Sequence, residues 1–287
     1  MVTKRAVILA GGRGVRLAPF TTVLPKPLMP IGDRAILDVV VRQLRGHGFT
    51  HLTVAVGYLA HLIRAVFGDG SAHGVQIDYH MEEDPLGTAG PLATVDGIDG
   101  TFLAMNGDIL TTLDYTALCR AHVQADNALT VATHRRTVRS EYGVLHVDGG
   151  AGEMQSVTGF EEKPEIPYIV SMGVYVLEPR ALEHIPRGRR FDVPDLVLAL
   201  LAAGERVGSY LYEGYWLDIG RHDDYEQALA DSERIIPQLL SAAGSDPLGP
   251  GALVKLEKRE SKGSPKRSAS RASTISSTPL GTFQRGS

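Results

Sequence analysis

The stretch that most constrains this chain lies near its start: Val7-Ile8-Leu9-Ala10-Gly11-Gly12-Arg13-Gly14-Val15-Arg16-Leu17, followed by Pro25-Lys26-Pro27. An apolar run that stops in glycines reads as a buried strand, ending at Ala10, that opens into a loop of bare backbone. Gly11, Gly12 and Gly14 carry no Cβ, so their N–H groups can approach phosphate oxygens closely and adopt positive φ where needed. Arg13, Arg16 and Lys26 bring three cations to the same neighbourhood, which suits a triphosphate better than a neutral ligand. Two better-known glycine loops are excluded. There is no G-x-x-x-x-G-K-[ST], and a dinucleotide fingerprint counted from Gly12 would need glycine where Leu17 stands.

With 287 residues the chain has room for one large domain plus an appendage, or for two small domains. Its 43% apolar content and mean hydropathy of -0.03 describe a soluble globular protein. No apolar run reaches the length of a membrane helix, and Met1–Arg5 leads straight into the first strand without a signal-peptide pattern. A single cysteine, Cys119, excludes an internal disulfide and suits a reducing cytoplasm; beside Leu118 it reads as a packed helical thiol. The net charge of -4 argues against nonspecific nucleic-acid binding by the whole protein. From Ser241 onward, however, eight basic residues meet three acidic ones, a net of +5, which leaves 21 against 30, or -9, in the first 240.

Asp33 can cap a helix whose Ile36, Leu37, Val40, Val41 and Leu44 share one face and which ends near Gly46 and Gly48. A strand at 51–56, a short helix at 59–67 and a strand at 75–80 follow. The segment 88–95 reads as helical, 101–105 as an apolar strand stopped by Asn106-Gly107-Asp108. Asp114 caps a helix to about Gln124, and 128–133 is the next strand. This alternation predicts a mainly parallel sheet covered on both faces, with ligands at the strand carboxyl ends, where the Gly11 loop and Asp108 both fall. In the second half, strands at 143–147, 155–160 and 169–177 have few helices between them, which predicts an antiparallel or mixed extension. Helices return at 193–203 and 223–236. Beyond Leu240, Gly, Ser, Pro and Lys/Arg dominate, with no sustained apolar period except Ala252 to Leu256. The expectation is a domain over 1–236 and a disordered basic tail over 241–287.

Taken one at a time, the polar motifs stay open. Asp108 is either a turn aspartate after Asn-Gly or a hard carboxylate placed for Mg²⁺. Asp218, in Tyr215-Trp216-Leu217-Asp218-Ile219-Gly220, is either a helix cap or a second metal ligand. Glu161-Glu162-Lys163-Pro164 in isolation is a solvated turn. Glu82-Glu83-Asp84-Pro85-Leu86-Gly87-Thr88-Ala89-Gly90 is either a flexible acidic loop or a base reader. Guanine offers two adjacent donors, N1–H and the 2-amino group, that one carboxylate can accept; thymine and uracil offer a single N–H between acceptors.

The segment Leu-Ala-Gly-Gly-x-Gly-x-Arg-Leu with the later Pro-Lys-Pro resembles the signature of the sugar-1-phosphate nucleotidyltransferases, or nucleotide-sugar pyrophosphorylases. The resemblance spans nearly all of residues 5–230, with four motifs in the expected order. One position departs: Val15 stands where the family usually has Thr. The resemblance implies an α/β fold, a Rossmann-like three-layer domain with a mainly parallel mixed sheet. It further implies that Asp108 and Asp218 hold Mg²⁺, that Arg16, Lys26 and Lys163 act on the phosphates, and that Glu162 binds sugar hydroxyls. Asn106, Ser171 and Gly173 fall at its sugar site, although Ser171 replaces the Asn of many relatives. Ala10, Gly11, Gly12, Arg13, Gly14, Glu82 and Gly87 fall at its nucleotide site. The acidic loop is most similar to that of mannose-1-phosphate guanylyltransferases, so Glu82 is the expected base contact and GTP the favoured nucleotide. The partners expected are an NTP and a sugar 1-phosphate, with no nucleic acid and no membrane; a homo-oligomer stays open. The alternatives are a thymidylyl- or uridylyltransferase for glucose 1-phosphate, and a non-catalytic nucleotide-sensing paralogue. The C-terminal hexapeptide repeats of many relatives are not visible.

Overall fold

The computed structural model of the protein describes residues 4–82, 84–152 and 154–241; the expected tail from 242 onward lies outside the described residues. In chain order the first half contains β1 (Arg5–Ala10), β2 (Pro30–Ile31), β3 (Arg34–Ala35), α1 (Ile36–Gly46), β4 (His51–Val56), α2 (Ala60–Phe67) and β5 (Gln76–Met81). It closes with β6 (Phe102–Asn106), β7 (Ile109–Thr111) and α3 (Tyr115–Ala125). The second half contains β8 (Leu129–Arg139), β9 (Val144–Asp148), β10 (Ser156–Glu161), β11 (Glu165–Leu177), α4 (Pro179–Leu182), α5 (Val193–Ala202), β12 (Val207–Tyr212), β13 (Trp216–Asp218) and α6 (His222–Ser241).

Seven strands form the central sheet in the order β12-β8-β11-β6-β1-β4-β5. All run parallel except β11, which is antiparallel to both β6 and β8. The period of two along β1 sorts its side chains between two cores. Ala6 and Ile8 pack with Val54, Leu103 and Met105 against Leu37, Val40 and Leu44 of α1, Ile63 and Phe67 of α2, and Leu118 of α3. Val7 faces the other way, with Phe102, Ala104, Leu129 and Leu177, against Leu196 and Leu200 of α5. A sheet covered on both faces needs near-continuous apolar strands, which β1, β4 and β6 have. A third cluster joins Leu17, Met29, Ile31 and Ile36 to Leu110, Leu217, Ile219, Tyr225 and Ile235. It clamps the loop after β1, the β7–β13 ladder and α6 together, and so fixes the mouth of the sheet's carboxyl end.

The mainly parallel sheet and its mixed second half match the reading of the sequence, with four local differences. Asp33 lies in the turn between β2 and β3, and Ala35 flanks α1 with no side-chain cap; Ile36 N–H instead donates to Met29 O at 3.0 Å. The expected helix at 88–95 is a single 3₁₀ stretch, Gly90–Thr94, opened by Pro91. β12, which the periodicity did not reveal, adds an edge strand parallel to β8. The last helix continues past Ile236 to Ser241 despite Pro237. Asp114 caps α3 as expected, accepting from Thr116 N–H (2.9 Å) and Ala117 N–H (3.0 Å). Cys119 is buried against α3's core face, and burial pushes its thiol up to about 12, so it is an inert packing group. Among the described residues no helix is long and apolar enough to cross a membrane.

Candidate active site

β1 delivers the chain to the cleft at Ala10. Gly14 then takes a left-handed conformation, φ +62, which a Cβ would both strain and press against Thr21 and Lys26. Its carbonyl accepts from Leu17 N–H at 2.8 Å and from Thr21 Oγ1 at 2.8 Å. This folds 15–17 into one tight turn, with Leu17 buried as the anchor and Arg16 outward. A cleft of about 520 Å³ opens here, lined by Ala10, Gly12, Gly14, Arg16, Lys26 and Asp108, with Arg190 from the other half of the chain. Nothing lies within 4 Å of where a Cβ of Gly12 would be, so its backbone faces open space. Lys26, only 9% exposed, is held by its flanking prolines in a single turn, and its Nζ donates to Asp108 Oδ2.

Two ladders bring the carboxylates together. Gly107 N–H donates to Leu9 O at 2.9 Å, tying the end of β6 to β1. β7 then pairs antiparallel with β13, with Asp218 opposite Ile109, and Ile219 N–H donates to Asp108 O at 3.2 Å. Asp218 is therefore a strand residue and not a cap; Asp224 accepts from Gly220 N–H (3.1 Å) and Arg221 N–H (2.8 Å) at the start of α6. Partial burial and then the neighbouring Asp108 carboxylate push the Asp218 pKa above the usual range, against the pull of Lys26 and Arg16. Asp108 Oδ1 is buried and has no hydrogen-bond partner. Two adjoining carboxylates, one with an orphaned oxygen, fit a hard divalent cation such as Mg²⁺. The described residues contain no cluster of three or more His, Cys, Asp or Glu, so phosphate and water oxygens would complete its coordination.

Next to the end of β6, Gly173 sits at φ +73 against Asn106, whose Nδ2 would lie 2.7 Å from an added Cβ. Ser171 Oγ donates to Tyr175 Oη at 3.2 Å and accepts from Gly173 N–H at 3.3 Å. Burial raises the Tyr175 phenol; the Ser171 bond opposes this, and the charges of Asp218 and Asp108 reinforce it. Trp216 Nε1 donates to Met172 O at 3.0 Å. Asn106, Ser171 and Gly173 are thus brought together, with Asn106 two residues before Asp108. Glu162 and Lys163 are not among them. They are exposed between β10 and β11, Lys163 at φ +47, and among the described residues neither side chain has a hydrogen bond or ion pair.

A second, smaller pocket of about 190 Å³ is lined by Gly11, Arg13, Gly57, Tyr58, Glu82 and Pro85. Glu82 follows β5, its N–H donating to Val56 O at 2.9 Å, and its Oε2 accepts from Leu86 N–H at 3.3 Å. A Cβ on Gly11 would run into this carboxylate, so the glycine is needed for the contact. Burial, partly offset by the Leu86 N–H, raises the Glu82 pKa. Arg13 is a correction to the reading of the loop: it lies here, its guanidinium 5.9 Å from the Tyr58 ring centroid, and not with Arg16 and Lys26 in the larger cleft. Gly87, at φ +82, makes room for Phe191 and Asp192, each with an oxygen 2.7 Å from where its Cβ would be. Thr88 N–H donates to Asp192 Oδ1 (2.9 Å), Phe191 N–H to Leu86 O (2.9 Å), and the Ala89 and Gly90 N–H groups to Phe191 O (2.9 Å each). This docking carries Arg190 to the cleft. Arg190, Tyr58 and Tyr175 were not picked out from the sequence; the basic run Arg187-Gly188-Arg189-Arg190 ahead of α5 was the available signal for the first.

Residues 5–234 match the model of the nucleotidyl transferase family. A mannose-1-phosphate guanylyltransferase of Mycobacterium tuberculosis is 34% identical over 258 residues, covering 87% of this chain and 71% of that protein. A UTP--glucose-1-phosphate uridylyltransferase of Synechocystis is 33% identical over 245 residues, covering 78% of this chain and 62% of that protein. Among solved structures, HddC from Yersinia pseudotuberculosis superposes with a TM-score of 0.60 at 25% identity, covering 79% of this chain and 98% of that one.

Proposed function

The chain belongs to the nucleotidyl transferase family, and on that premise we propose that it transfers a guanylyl group from GTP to mannose 1-phosphate or a related hexose or heptose 1-phosphate. A phosphate oxygen of the sugar attacks the α-phosphorus, a new P–O bond forms, and the bond to the bridging oxygen breaks so that pyrophosphate leaves. No protein nucleophile is needed; positioning and charge neutralisation carry the reaction. The N–H groups of 11–14 cradle the phosphates, and Arg16 and Arg190 meet the departing pyrophosphate. Lys26 faces the α-phosphate, with Asp108 holding its ammonium in place. Asp108 and Asp218 would hold Mg²⁺, which would supply positive charge to offset that of the reacting phosphates. Lys163 serves the incoming phosphate and Glu162 the sugar hydroxyls, which requires their arm to approach the carboxylate pair from where it now stands.

The observation that carries the choice of GTP is the Glu82 carboxyl, partly buried in a small pocket beside Gly11 and without a cationic partner among the described residues. A carboxylate accepts guanine's two adjacent donors and is poorly matched to the carbonyls that flank the N–H of uracil or thymine. The relatives divide between guanylyl and uridylyl transfer by name at nearly equal identity, so a uridylyl- or thymidylyltransferase acting on glucose 1-phosphate is the second reading. The test is pyrophosphate release with Mg²⁺, four NTPs and two acceptors, mannose 1-phosphate and glucose 1-phosphate. Release confined to GTP with mannose 1-phosphate supports the first reading. Release with UTP or dTTP keeps the mechanism and overturns the base assignment. No release with any pair, while nucleotides still bind, favours a non-catalytic paralogue.

A further inference from the structure

The loop after β1 is a partition. Gly12, Gly14 and Arg16 line the phosphate cleft, whereas Gly11 and Arg13 line the small pocket that holds Glu82. Over 11–14 successive residues thus face opposite cavities, before the left-handed Gly14 and the turn at 15–17 end the alternation. Arg13 therefore points to the side away from Lys26 and Asp108. Its guanidinium lies over Tyr58, at 5.9 Å from the ring centroid, within the range of a cation–π contact. Tyr58 Oη donates to Thr22 O at 2.9 Å, which holds the ring in place beneath it. Among the described residues no carboxylate pairs with Arg13. The pocket thus presents one anionic acceptor and one fork of donors, with an aromatic face between the backbone walls of Gly11 and Gly57.

We propose that Arg13 reads the base: its guanidinium donates to O6 and N7 of guanine while Glu82 accepts from N1–H and the 2-amino group. This deepens the GTP reading and rests on it. The pairing of a guanidinium fork with O6 and N7 is the most frequent specific contact that arginine makes with guanine in DNA. Adenine presents a donor at position 6 and an acceptor at N1, the reverse of both requirements. Uracil and thymine have no N7 and offer Glu82 a single donor. Arg13 is a specificity-determining residue on this assignment, and the phosphates are left to Arg16, Lys26 and Arg190.

The experiment is equilibrium binding by titration calorimetry, on the unaltered protein and on Arg13→Met, with GTP, GMP, 7-deaza-GTP, ITP and UTP. In the unaltered protein GTP binds more tightly than 7-deaza-GTP, which lacks N7, and than ITP, which lacks the 2-amino group. Arg13→Met weakens GTP and GMP alike by on the order of tenfold, as expected for the loss of a paired base contact. It abolishes the difference between GTP and 7-deaza-GTP, keeps that between GTP and ITP, and changes UTP by less than about threefold. Equal weakening of GTP and UTP with GMP spared assigns Arg13 to the distal phosphates and overturns the proposal. Equal affinity of the unaltered protein for GTP and 7-deaza-GTP overturns it as well, without any variant. Failure of the GTP reading is separately visible: the unaltered protein then binds UTP at least as tightly as GTP.

Discussion

Replacing Lys26 by methionine removes one ammonium and keeps most of the buried stem. Lys26 is 9% exposed and its Nζ is the counter-charge of Asp108, whose side chain is 23% exposed and whose other carboxylate oxygen already has no partner. Breaking a fully buried pair from one side costs about 3–5 kcal/mol, because the remaining charge is left uncompensated. The access of water to Asp108 discounts this to about 2 kcal/mol. For a domain of this size that corresponds to a melting point lower by about 4–8 °C. Adding Asp108→Asn removes the stranded charge, so the double variant should melt above the single one. Turnover behaves differently. Loss of one positioned charge at the reacting phosphates lowers kcat by about 10²–10³, and the double variant regains none of it. Thermal melts without metal, paired with pyrophosphate release at saturating substrates, separate the two effects. A single variant with turnover within threefold of normal would refute the role of Lys26. A double variant no more stable than the single one would refute the electrostatic account of the pair.

Three further outcomes follow from the same geometry. Gly11→Ala drives a methyl into the Glu82 carboxylate, the movable end of a flexible side chain, so the melting point should hardly change while GTP affinity falls at least about fivefold; unchanged affinity would separate Glu82 from the base site. Arg190→Gln should raise the KM for the nucleotide about tenfold and leave the melting point alone, because among the described residues its ion pair is an exposed one with Asp192; an unchanged KM would exclude Arg190 from the phosphates. Asp218 has a raised folded pKa, so it holds a proton to higher pH than in the unfolded chain: the cost of its ionisation to the fold is full above the folded value, shrinks as pH falls below it and vanishes only below the unfolded value. On the proposed function, protonation there would also remove a metal ligand. Activity at limiting Mg²⁺ should therefore fall on the acid side at a higher pH than an ordinary aspartate gives, and excess Mg²⁺ should move that limb down; a limb insensitive to Mg²⁺ would place the titrating group elsewhere.

The parts of this site that could be read from the sequence are those set by local rules. A strand that ends in glycines, an aspartate after Asn-Gly at the end of an apolar run and the Asp114 cap each depend on a few neighbouring residues, and all stand where expected. Asp108 and Asp218 could be named separately for the same reason, since each follows or lies in a short apolar segment. Their pairing came from the family resemblance and not from local pattern, because it depends on the antiparallel register of β7 on β13, and three-residue strands carry too little periodicity to announce a partner. Arg13 shows the limit most clearly. Charge counting groups it with Arg16 and Lys26, and only the alternation of the loop backbone between two cavities separates them. Arg190 fails for a different reason: nothing near it in sequence is apolar or periodic, and its place in the cleft is set by hydrogen bonds from Thr88, Ala89 and Gly90 to Phe191 and Asp192. Those bonds join the loop that begins at Glu82 to the loop that carries Arg190, so the base pocket and the phosphate cleft share one support. A change at Gly87, which makes that docking possible, should then disturb both affinity for the base and handling of the phosphates, although Gly87 lines neither cavity.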